Sequence, residues 1–182
     1  MTSHSTHPTD THIRFATRSD LASIQAIYAH ARAMQQSRGV EAWPEFAPQS
    51  ILDEIDHGRL LCVETEDGLA GVFSTAYDDV ALWSDRERND HVYLHRIAKS
   101  ANARLNGLVD VVLAWAAEHC RELGRSGLRM DTWASNEALI AFYESRGFRV
   151  VDRIHVEHDA RLPAQYQGKD FVLLEEDRIA TL

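Results

Sequence analysis

From Tyr93 to Val151 the chain reads YLHRIAKSANARLNGLVDVVLAWAAEHCRELGRSGLRMDTWASNEALIAFYESRGFRVV. Five elements follow one another here without a break, and their order leaves few folds open. Val92 to Ala98 has the composition of a strand, and Arg104–Val109 forms a glycine-bearing loop. Leu108, Val111, Val112, Trp115, Ala116, Cys120 and Leu123 then recur at the i, i+3, i+4, i+7 spacing of an amphipathic helix, which Gly124 ends. Leu128, Met130 and Thr132 alternate with Arg129 and Asp131, as in a half-buried strand. Ser135 or Asn136 caps a second helix, with Gly147 just past its end. Strand, helix, strand and helix in succession call for an α/β fold with helices packed on a sheet.

The first half fits the same architecture. Ile13–Ala16 reads as a short strand, and Ser19 is a candidate cap for a helix carrying Leu21, Ile24, Tyr28 and Ala31. Trp43, Pro44, Phe46 and Pro48 suggest an ordered aromatic loop, and a short helix follows with Ser50 as a candidate cap. Leu60–Thr65 and Leu69–Tyr77 flank Glu66-Asp67-Gly68, a hairpin signal. Asp78–Asp90 reads as a polar, solvated loop. Phe148–Val156 and Asp170–Glu175 close the sheet. Residues 1–12 are expected to be a disordered polar tail, in which His4, His7 and His12 are solvated rather than metal ligands, and residues 13–182 a single domain.

Bulk properties exclude several functions. A chain of 182 residues with 45% hydrophobic residues suits one soluble domain. Its net charge of −9 argues against nucleic acid or an anionic membrane as partner. That charge suits a cationic or amine substrate, although solubility alone accounts for it. Cys62 and Cys120 read as small buried hydrophobes, with no spacing for zinc or a disulfide framework. No stretch is long and apolar enough to span a membrane, and the first residues lack a signal core, so a cytoplasmic protein is expected.

The chemistry concentrates in Arg104-Leu105-Asn106-Gly107-Leu108-Val109. The first N–H groups of a helix lack internal partners and favour anions. Gly107 permits close approach and Arg104 adds a charge at the rim. On its own, a glycine at a helix start is more often only a turn. With LHRIAKS before it and DTWASNEALIAFYESRGF after it, the segment resembles the GNAT superfamily of acetyl-CoA-dependent N-acetyltransferases. Arg104 and Gly107 match the family's loop, and Asn136, Phe142, Tyr143, Gly147 and Phe148 stand at its spacing.

The resemblance implies a mixed central sheet flanked by helices and splayed at the site of acetyl-CoA, the cosubstrate. It implies that Ile97, Ala98 and Lys99 pair with the pantetheine arm, that residues 104–109 cradle the pyrophosphate, and that Asn136 contacts the cofactor. Tyr143 would protonate the departing thiolate, the alternative being a packed aromatic. His91, Tyr93 and His95 share one strand face, and His95 is the candidate base, or else a hydrogen-bonded histidine of the core or surface. Glu41 and Trp43 line the acceptor pocket or serve as a rim carboxylate and a core aromatic. The acceptor is a small-molecule or peptide amine, no metal is called for, and a homodimer is compatible with the family.

Val109 stands where the family prefers Gly or Ala, Leu105 where Gly is common and Lys99 where an apolar residue is usual. These departures leave a second reading open, a noncatalytic binding module with weakened CoA affinity. Transfer of a longer acyl group is a third. A Rossmann enzyme is disfavoured, because no glycine-rich fingerprint follows the first strand.

Overall fold

The computed structural model describes residues 11–177. Seven strands form one sheet: β1 (His12–Phe15), β2 (Leu60–Thr65), β3 (Gly68–Ala76), β4 (His91–Lys99), β5 (Gly127–Trp133), β6 (Arg149–Val156) and β7 (Lys169–Glu176). Their order is β1-β2-β3-β4-β5-β7-β6, and every neighbouring pair is antiparallel except β4 with β5. That parallel pair is joined, as such pairs must be, by a crossover helix. The helices are α1 (Leu21–Ser37), α2 (Pro48–Asp56), α3 (Val80–Trp83), α4 (Leu108–Glu122) and α5 (Glu137–Glu144).

Strand alternation divides the core between two faces. Leu61, Val63, Phe73, Val92, Leu94, Leu128 and Met130 point toward α4 and α5, where Val112, Ala116, Cys120, Ile140 and Tyr143 meet them. Leu60, Cys62, Val72 and Ala98 point the other way, toward Ile24, Ile27 and Tyr28 of α1 and Ile51 and Ile55 of α2. Farther along this second face, Leu82 and Trp83 of α3 cover Tyr93, Trp133 and Phe171. Both cysteines are buried and free.

Several local expectations change. The expected tail lies outside the described residues through residue 10, as do His4 and His7, while His12 opens β1. A 3-10 turn over Arg18–Asp20 precedes α1, and Asp20, not Ser19, receives the Thr17 N–H at 2.7 Å. The second helix starts at Pro48 behind Ala47, because proline suits a first turn that needs no N–H. The segment expected as a wet loop contains α3, capped by Asp79 Oδ1 accepting the Leu82 N–H at 3.3 Å. Its period is too short to register as a helix, yet Leu82 and Trp83 are buried.

Arg129, expected on a solvated strand face, is buried under this segment. Its Nε and Nη2 reach Glu175 Oε2 at 2.7 and 2.6 Å, its Nη1 donates to Tyr93 Oη at 2.9 Å, and its guanidinium lies 4.2 Å over Trp83. Tyr93 in turn donates to Glu87, whose Oε2 accepts the Asp79 N–H at 2.9 Å. Breaking a buried ion pair by removing one partner costs about 3–5 kcal/mol, because the other charge is left uncompensated. Arg129→Ala is therefore expected to lose stability of about that size in urea unfolding. A loss well under 1 kcal/mol would show that this network is not holding the sheet.

Candidate active site

β4 and β5 pair at His91↔Gly127, Val92↔Leu128 and Tyr93↔Arg129, and there the pairing stops. Each strand runs on: β4 stays on β3 as far as Lys99, and β5 stays on β7 as far as Trp133. Beyond Tyr93, β4 thus presents backbone groups to a widening gap. Within that stretch the register with β3 slips between Ser74↔His95 and Val72↔Ala98, which leaves an extra residue on β4. Arg96 takes the strain with φ +52°, uncommon outside glycine and typical of a bulge that redirects a strand.

The loop after β4 turns directly into α4. Gly107 sits before the helix at φ +71°, ψ 33°, a left-handed conformation that glycine adopts without steric cost. Leu105 and Leu108 are buried in the core and pin the loop to the sheet; a Cβ on Gly71 of β3 would lie 2.7 Å from Leu108, so the helix start rests on that glycine. Arg104 and Asn106 are exposed. Leu105 thus faces the core with its side chain, between two exposed neighbours.

A cavity of about 480 Å³ lies at this helix start, lined by Ile97, Lys99, Gly107, Leu108, Val109, Asp110, Phe142 and Arg146. Ala98 points away from it, into the core under α1 and α2. Arg146 pairs with Asp110 through Nε–Oδ1 at 2.6 Å and Nη2–Oδ2 at 3.1 Å, and stacks 3.5 Å over Phe142. It offsets a carboxylate that would otherwise oppose an anion here, and the sequence reading missed it. Asn136 caps α5, its Oδ1 accepting the Leu139 N–H at 3.2 Å. Tyr143 is buried between Phe142 and Phe148, and burial raises its hydroxyl to about 12.

The other face of the gap carries a different set. His95 and Asp131 each lie two residues past the last β4–β5 pair, on the side away from Tyr143. His95 Nδ1 is 3.5 Å from Asp131 Oδ1, and Asp79 completes a trio whose donor atoms all lie within 4.8 Å of one another. His95 stacks at 6.5 Å against Tyr93 and keeps 23% of its side chain accessible. Burial pulls its pKa down, but the contact with Asp131 and the charge of Asp79 outweigh that, leaving it above the ordinary value. Two ionised carboxylates within 4.8 Å of each other repel by about 3 kcal/mol or more at an effective dielectric near 20. Burial first, and then Asp131, hold Asp79 up at about 6, against the partial offset of His95.

Tyr166, in the loop between β6 and β7, donates to Asp131 Oδ2 at 3.2 Å. Of the expected acceptor residues, Glu41 is exposed and pairs with Lys169 at 2.6 Å, joining the α1–α2 loop to the start of β7. Trp43 sits edge-on to Tyr28, with Phe46 beside both. Arg96 lies over Phe46 and Tyr28 at 5.0 and 6.0 Å and pairs with Glu54 at 2.9 Å. His91 is drawn away from the gap, held between Asp90 at 2.6 Å and Asp177 at 3.1 Å. Asp79, Arg96, Asp131 and Tyr166 escaped the sequence reading; only the alternation that put Asp131 on the face of His95 could have pointed to one of them.

Comparison with known proteins places the chain and its fold. The model of the Acetyltransferase (GNAT) family matches residues 24–148. The chain belongs to the GNAT acetyltransferase family. It is 26% identical over 137 residues to YesJ of Bacillus subtilis (strain 168), an uncharacterized N-acetyltransferase, covering 71% of this chain and 76% of that one. A GNAT-family acetyltransferase structure from Listeria monocytogenes 4b F2365 superposes with a TM-score of 0.70 at 24% identity, covering 92% of this chain and 94% of that one. yncA, a putative acetyltransferase from Salmonella typhimurium solved with acetyl-CoA, gives 0.63 at 20% identity over 93% and 94% of the two chains. Family membership makes this chain an acetyl-CoA-dependent acyltransferase. No helix among the described residues is long and apolar enough to cross a membrane.

Val109 occupies the wall of the helix-start cavity, so its methyls take up room and carry no charge. Val109→Gly is expected to bind acetyl-CoA as tightly as the parent or more tightly in calorimetry. Arg146→Ala, which leaves Asp110 unpaired there, is expected to weaken binding several-fold, more at low salt than at high. Equal affinities for Arg146→Ala and the parent would remove Arg146 from the anion site.

Proposed function

We propose that the protein transfers the acetyl group of acetyl-CoA to a primary amine. The observation that carries this reading is the β4 edge, open beyond Tyr93 and leading to the Gly107 helix start, with a titratable histidine behind it. The edge of residues 94–99 that faces away from β3 suits the amides of the pantetheine arm, as one strand suits another. The first N–H groups of α4 and Arg146 suit the pyrophosphate.

Acid and base come from opposite sides of the sheet. His95 accepts the proton that the attacking nitrogen must lose as the C–N bond forms. Tyr143 serves the sulfur as the C–S bond breaks. A phenol near 12 is a weaker acid than a thiol near 8.5, so its service is a hydrogen bond to the developing thiolate, ahead of proton transfer. Asn136 fixes the start of α5 and thereby the position of Tyr143. Trp43 and Glu41 border the acceptor side, Glu41 through its tie to Lys169.

Calorimetry with acetyl-CoA, using CoA and ATP as controls, tests the foundation: micromolar binding that depends on the pantetheine arm is expected, and none at all would favour the noncatalytic module. Tyr143→Phe is expected to slow transfer at least tenfold while leaving acetyl-CoA affinity nearly intact; an unchanged rate ends its proposed role. Because His95 acts deprotonated and its pKa is raised, kcat/KM is expected to climb with pH through a midpoint above the ordinary histidine value of about 6.5. His95→Ala is expected to lose that limb along with about 10²-fold or more of the rate. A limb that survives the substitution belongs to another group.

A further inference from the structure

We propose that Asp79 and Asp131 form a cation-recognition floor beside His95, and that the acceptor is a simple cationic amine with no carboxylate next to the reacting nitrogen. This rests on the acyl-transfer reading above and narrows its substrate.

Around the acceptor side, the arginines and lysines engaged in ion pairs are held by carboxylates other than Asp79 and Asp131, some of them shared, as Glu54 is between Arg96 and Arg59. Arg96 has Glu54, Lys169 has Glu41, Arg129 has Glu175, Arg86 has Asp152 and Arg153 has Glu137. Asp79 and Asp131 have no arginine or lysine partner among the described residues. Asp79 caps α3, and Asp131 meets only Tyr166 and His95.

Asp131 supplies a second, independent sign. Its side chain is only 7% exposed, and its Oδ1 is fully buried without a well-formed hydrogen bond, its near neighbour being His95 Nδ1 at 3.5 Å. A buried carboxylate oxygen without a well-formed hydrogen bond is costly, and few such atoms persist without a ligand or a role. This one points toward His95 in the gap between the strands, where an incoming nitrogen must arrive. A protonated amine would give Oδ1 the short N–H contact that His95, at 3.5 Å, does not, and would set a cation between two carboxylates that have one histidine between them. An α-carboxylate on the same acceptor would instead be brought against two acids. The guanidinium that could have received it, Arg96, is engaged by Glu54 and lies over the Phe46 ring.

The test compares matched pairs: tyramine with tyrosine, agmatine with arginine, and isopentylamine with leucine. Thiol release from acetyl-CoA is followed for each with the full-length protein. The expected result is a kcat/KM for each amine at least tenfold above that of its amino acid. Asp79→Asn keeps a capping side chain, and Asp131→Asn keeps an acceptor for Tyr166. Each is expected to raise the KM for tyramine at least fivefold with a smaller change in kcat, leave acetyl-CoA affinity unchanged, and narrow the amine-to-amino-acid ratio. Amino acids used as well as the amines, no turnover of any amine by a protein that binds acetyl-CoA, or an unchanged KM in both variants would overturn the assignment. Activity abolished by EDTA and restored by a divalent metal would overturn it too, by giving the trio to a metal ion. Failure to bind acetyl-CoA would instead bring down the acyl-transfer reading beneath it.

Discussion

The parting of β4 from β5 is the constraint on which the rest of this molecule depends. Three parallel pairs hold the strands together, and each then follows its other neighbour. A gap in the middle of a sheet leaves backbone donors and acceptors without partners, which a fold tolerates only where water or a ligand replaces the missing strand. The bulge at Arg96 keeps β4 on β3 while turning it away from β5. The last pair before the gap, Tyr93 and Arg129, is fixed by the buried chain from Glu175 through Arg129 and Tyr93 to Glu87. That chain ends on the backbone of Asp79. One network therefore anchors the hinge of the gap and holds in place a carboxylate that faces into it.

The sheet also separates charge. On the α4–α5 side lie a helix N-terminus and Arg146, paired with exposed Asp110. On the side of α1, α2 and α3 lie two carboxylates that share one histidine. An anionic cosubstrate and a cationic acceptor would each find an opposite charge on its own face, and they would meet only at the gap. The overall charge of −9 says nothing of this arrangement.

Much of this fold was legible in the chain because its elements carry strong periods. The α4 face, the alternation of β5 and the Gly107 turn needed only local spacing. What was not legible depends on partners distant in sequence. Asp78–Asp90 looks solvated because its charges outnumber its apolar residues, yet Leu82 and Trp83 are enough to seat it. Arg129 reads as an outward residue because its partners, Glu175 and Tyr93, are 46 and 36 positions away. The bulge at Arg96 has no glycine to announce it. His95 was found because histidine on a strand face beside the expected thioester is conspicuous; Asp131 was passed over because an aspartate in a half-buried strand is not.

The departures from the family pattern bear unequally on the choice between an enzyme and a passive binding module. Leu105 is harmless to a backbone-lined anion site, since its side chain belongs to the core. Lys99 is exposed at the end of β4, where a cation opposes nothing. Lys99 and Val109 both line the groove, the first adding a cation and the second only volume. Against that stands the Asp79–His95–Asp131 trio. Its like charges are crowded together and one carboxylate oxygen lacks a well-formed hydrogen bond, an arrangement that costs stability and that apolar residues could replace at less expense. A module that merely held CoA would have no use for such a cluster across the gap from the groove. Acyl transfer to an amine does, because a charged nitrogen has to be received there and relieved of a proton, and strained polar groups concentrate where chemistry needs them.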